Sequence, residues 1–74
     1  MINIRGIIIP VNWDAKGNII GMAIATHNEE EYFIEEDDTG AKLRSFLRQE
    51  VKITGILKRK KGKKIIKVKN LTQR

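Results

Sequence analysis

Six cations fall within seven residues at Lys58, Arg59, Lys60, Lys61, Lys63 and Lys64. That spacing can follow successive phosphates along a nucleic-acid strand. The same run has a plain structural use, because lysines on an exposed strand keep it soluble and deter pairing with another edge. A binder of single strands also needs aromatic faces for bases to stack on, each stack contributing about 1–3 kcal/mol. The chain has one Trp, one Tyr and two Phe. Trp13, beside a turn that carries Lys16, is the first candidate and Phe33 the second. Phe33 stands between Glu31 and Glu35, which repel phosphate.

Other chemistries find less support. The acidic run of Glu29, Glu30, Glu31, Glu35, Glu36, Asp37 and Asp38 lacks the alternating ligands and central Gly of a calcium loop, and reads as a solvated edge or a docking surface for a basic partner. His27 is the only histidine and there is no cysteine, so neither a His-based cluster nor a thiolate site can be assembled within one chain. Ser45, His27 and Asp14 would have to converge from a helix and two loops, and no Gly-flanked elbow surrounds Ser45. No Gly-rich phosphate loop is present. These absences predict a non-enzymatic module with no metal and no small-molecule cofactor.

The elements that must position the cations and aromatics follow from periodicity. Residues 2–13 are rich in β-branched side chains and run into Asp14-Ala15-Lys16-Gly17, a type I turn followed by a bulge glycine. In residues 19–26, Ile20, Met22 and Ile24 alternate with Gly21, Ala23 and Ala25, which predicts the larger set facing inward. A third strand over 31–36 puts Tyr32 and Ile34 on one face and Phe33 on the other. Leu43, Phe46 and Leu47 at i, i+3, i+4 predict a short helix capped by Asp38, too short to stand alone and therefore a cover for something apolar. Val51, Ile53, Gly55 and Leu57 give the buried face of strand four. Lys61-Gly62 makes the turn, and strand five follows through Ile66 and Val68 to Leu71; in an OB-type barrel that strand lies beside strand three, where Lys67 and Lys69 would face Glu31 and Glu35.

The predicted order, β-β-β-α-β-β, is what a closed five-stranded Greek-key barrel of the OB type requires, because closure removes exposed edges. An SH3-like barrel has five strands too, but usually lacks the helix between strands three and four. Gly17-Asn18-Ile19, Ile24-Ala25-Thr26, Glu31-Tyr32-Phe33-Ile34-Glu35, Gly40 with Leu43, and above all Val51-Lys52-Ile53-Thr54-Gly55-Ile56-Leu57 resemble a group of small, largely uncharacterised bacterial OB-fold (oligonucleotide/oligosaccharide-binding fold) proteins nearly end to end. The resemblance implies a ligand face over strands two and three, gripped by the loops 14–18 and 58–64.

Length and charge set the outer bounds. A chain of 74 residues makes one domain over 1–74 and buries only about 60% of its unfolded surface. The apolar stretches are short, and Ile7-Ile8-Ile9 stops at Pro10, far short of a membrane span. The start, Met1 to Arg5, has no charged leader or long apolar run, and with no cysteine this predicts a cytoplasmic protein. The formal charge of +6 is uneven. Residues 1–40 hold Arg5 and Lys16 against eight carboxylates, while residues 41–74 hold thirteen cations against Glu50 alone. An anionic partner, most naturally single-stranded DNA or RNA, is therefore expected at the C-terminal half. A protein partner, or a second copy docking acidic on basic halves, is the alternative.

Overall fold

The computed structural model describes residues 1–73. Five strands form one sheet: β1 (Ile2–Trp13), β2 (Ile19–Ala25), β3 (Glu31–Ile34), β4 (Glu50–Lys60) and β5 (Lys63–Gln73). They neighbour one another in the order β1-β2-β3-β5-β4, and β4 pairs back onto β1, so the sheet closes in a ring. Every pairing is antiparallel except β3 on β5, which is parallel. Strand five lies beside strand three, the neighbour expected for it.

The inward positions follow the two-residue period of the strands. Ile4 and Ile8 of β1, Met22 and Ile24 of β2, Ile34 of β3, Val51 and Ile53 of β4, and Ile66 and Val68 of β5 fill the ring. Gly55 faces Val68 in this interior, and a methyl group there would collide with the Lys67 carbonyl, so the close crossing of β4 and β5 depends on its bare backbone.

One short helix lies between β3 and β4, with two departures from the sequence reading. The cap is Asp37 rather than Asp38: its Oδ1 accepts from the Gly40 N–H at 2.7 Å, and Asp38 becomes the first helical residue. The α-helix, α1 (Asp38–Ala41), lasts a single turn and tightens into a 3₁₀ segment over Lys42–Phe46. Thr39 and Gly40 are weak helix formers, and a period of three still stacks Leu43 and Phe46 on one face. Leu43 is buried in the core, with Phe46 and Leu47 packed against it.

A further departure is in β2. Trp13 pairs with Ile19 and Asn12 with Gly21, leaving Ile20 as an extra residue, while Asn12–Gly21 followed by Pro10–Met22 leaves Val11 extra on β1. Two bulges thus face each other across this ladder. Bulges re-aim side chains: Ile19 packs against the core and Ile20 is 50% exposed, so of the expected inward set only Met22 and Ile24 are buried. Among the described residues, no helix is long and apolar enough to cross a membrane.

Candidate functional site

The cationic run forms the tip and upper arms of the β4–β5 hairpin. Lys61 and Gly62 turn the chain, both with positive φ, 54° and 81°. Alternation along the arms then sorts the cations by face. Lys58 pairs with Ile65 and Lys60 with Lys63, on the outer side of the ring; Lys64 lies in register with Arg59 on the other side. The outer row continues from Lys58 through Ile65 to Phe33, Ala23 and Ile9, crossing all the way to β1. Phe33 is therefore outward, as its parity predicted, and half-buried among these neighbours.

The Lys58, Ile65 and Phe33 part of that row lines a groove of about 490 Å³, which Glu35 and Glu36 border as well. Phe33 lines it together with Lys58, Arg59, Lys60 and Lys63. Lys63 Nζ stands 5.2 Å from the centre of the Phe33 ring, a cation placed over an aromatic face. Val11, Asn12 and Ile65 also line it and escaped the sequence reading. Ile65 shares the parity of Lys63, so its place could have been read from strand alternation. Asn12 owes its place to the bulges, which leave no such signal.

Part of the positive charge is spoken for. Lys58 pairs directly with Glu35, whose second oxygen lies 3.4 Å from Lys67 Nζ, and Lys67 reaches Asp37 at 2.7 Å. The Lys58 hydrogen bond holds the Glu35 carboxyl below its usual range, and the Lys67 hydrogen bond does the same for Asp37. Asp37 in turn raises Lys67. Of the expected compensation only Lys67 with Glu35 is formed; the other partner of Lys67 is Asp37, and among the described residues Lys69 and Glu31 take part in no ion pair. On the other side of the hairpin, Lys64 Nζ sits 4.6 Å from the Tyr32 ring centre and 3.5 Å from Glu30. Tyr32 donates to Glu30 at 2.7 Å, which lowers the Glu30 carboxyl and raises the phenol. Among the described residues, Arg59, Lys60, Lys61 and Lys63 take part in no ion pair.

Trp13 and Lys16 stand apart from this cluster. Trp13 is 55% exposed at the end of β1 and lines neither this groove nor the second one described below. The following turn is fixed by Asp14, whose Oδ1 accepts from the N–H groups of Lys16 and Asn18, each at 2.9 Å. These bonds, chiefly that from Asn18, lower the Asp14 carboxyl and leave Lys16 exposed at the turn. The second groove, about 460 Å³, has Ile20 and Met22 on one bank and Glu36 and Asp38 on the other. No family model matches the chain, and no curated protein or solved structure matches it either.

Proposed function

We propose that the ring of strands is an OB-type Greek-key barrel, and that the chain is a non-enzymatic module binding single-stranded DNA or RNA, weakly and largely without sequence preference. The observation that carries this is the groove in which Phe33 lies beneath Lys63, an unpaired cation of the β4–β5 hairpin, with Arg59 and Lys60 along the same lining. Base stacking and phosphate neutralisation need those two kinds of group side by side. The strand order and the helix between β3 and β4 agree with the OB arrangement, in which such a groove crosses the middle strands.

In this reading Arg59, Lys60, Lys61 and Lys63 meet phosphates, with Lys58 and Lys64 contributing less because Glu35 and Glu30 already hold them. Phe33 stacks on a base inside the groove. Trp13 and Lys16, beyond its end, are reached only by a longer strand. With about four phosphates neutralised, log K should fall against log salt with a slope of roughly −3. Fluorescence anisotropy with a labelled mixed-sequence oligonucleotide at several salt concentrations measures it, and a slope near zero defeats the reading.

One observation favours a protein partner instead: the second groove sets exposed Ile20 opposite Glu36 and Asp38, as a basic, apolar segment or a second copy would require. Sedimentation of the protein alone over a range of concentrations separates the readings, because self-association without nucleic acid belongs only to the second.

A further inference from the structure

We infer that Asn12 is a base-reading residue, and that it gives the groove a preference for adenine at the nucleotide next to the one stacked on Phe33. The inference rests on the nucleic-acid reading above and adds to it a chemical discrimination.

Asn12 lies between the two opposed bulges of β1 and β2, in register with Gly21. The pairing turns its side chain to the outer face and lays it flat across Gly21: a Cβ at Gly21 would sit 2.9 Å from Asn12 Nδ2 and 3.2 Å from Asn12 Cβ. The glycine is thus the space that the amide occupies. This exposed amide lines the same groove as Phe33 and the hairpin cations, and among the described residues its side chain makes no hydrogen bond to the protein. Most exposed amides move freely in water. This one lies against the bare Gly21 backbone with donor and acceptor both uncommitted to the protein.

Asn12 on β1 and Phe33 on β3 flank β2, facing Gly21 and Ala23 respectively. Two strand spacings and a two-residue offset put their backbones roughly 12 Å apart. One base cannot touch both, so the amide takes a neighbouring base. A side-chain amide offers one donor beside one acceptor, the complement of the adenine N6 and N7 pair, and adenine is its usual bidentate partner. In an unpaired strand these edges are free to be read. Because the contact is solvent-exposed and single, a preference of about threefold to tenfold over thymine is expected rather than strict selection.

The test compares the affinities of short oligo(dA), oligo(dC) and oligo(dT) for the wild type, Asn12→Ala and Gly21→Ala, each at two salt concentrations. Adenine also stacks well on Phe33, so the decisive quantity is the change in the dA to dT ratio. Asn12→Ala should cut it by about threefold or more while the salt slope stays as in the wild type. Gly21→Ala, which displaces the amide without removing it, should do the same, with a thermal melt confirming its fold. An unchanged ratio in Asn12→Ala, or a wild type without base preference, overturns the assignment and leaves salt-dependent binding standing. A wild type with no salt-dependent binding overturns both.

Discussion

Phe33 shows how one side chain joins the two forces of the groove. Its ring is half-buried between Ala23 and Ile65, so it is held in place, and its remaining face lies under Lys63. Stacking is local and insensitive to salt, whereas phosphate contacts release counterions. Phe33→Ala should therefore weaken oligonucleotide binding by about tenfold with no change in salt slope, a pattern that anisotropy titrations at several ionic strengths resolve. The double substitution Lys60→Ser with Lys63→Ser should do the reverse, reducing the slope by about 1.4 for single strands. Trp13 separates from both because it stands outside the groove. Trp13→Ala should leave short oligonucleotides unaffected and weaken only those long enough to run past the β1–β2 turn; equal losses at every length would put the indole inside the main site.

At the scale of elements, the strands were legible where alternation is unbroken. The parity of Tyr32, Phe33 and Ile34, the buried series Val51, Ile53 and Gly55, and the Lys61-Gly62 turn stand as the residue pattern indicated, whereas Leu57, expected in the same series, is only partly buried. Ile20 did not, because a bulge spends one residue without pairing it, and β-branched residues at both 19 and 20 leave the pattern indifferent to which faces in. The helix cap moved by one residue for a similar reason: Asp37 and Asp38 are both good caps, and only the position of Gly40 decides between them. The groove was half legible. Its cations stand together in the chain, but the pairing of Lys58 with Glu35 arises from a parallel contact between β3 and β5 that no local pattern reports. Asp37 ties that corner together, capping α1 through Gly40 and holding Lys67. Asp37→Ala should accordingly lower the melting temperature by several degrees, measured by circular dichroism, whereas Asp38→Ala, which removes neither bond, should change it much less.

The ring of strands is joined by seams of unequal length. Long antiparallel ladders join β4 to β5 and β1 to β4, while β3 meets β5 through only Phe33–Ile65 and Ile34–Ile66. The Glu35–Lys58, Glu35–Lys67 and Asp37–Lys67 pairs span this short seam and its continuation, so closure there leans on ionised groups more than elsewhere. The sign of the pH dependence follows. Glu35 and Asp37 are lowered in the folded chain, so their contribution is complete above the unfolded carboxylate value near 4 and disappears as pH falls through the lower folded value. Lys67 is raised, so its contribution is complete below about 10.4 and is lost only as pH climbs through the folded value. Thermal stability should be nearly level from about pH 5 to 9 and fall below about pH 4. The double substitution Glu35→Gln with Asp37→Asn removes the titrating groups at the seam. Relative to wild type it should lose most melting temperature at neutral pH and least near pH 3, the two curves converging as acid is added; parallel curves would mean that the seam is closed by its apolar neighbours alone.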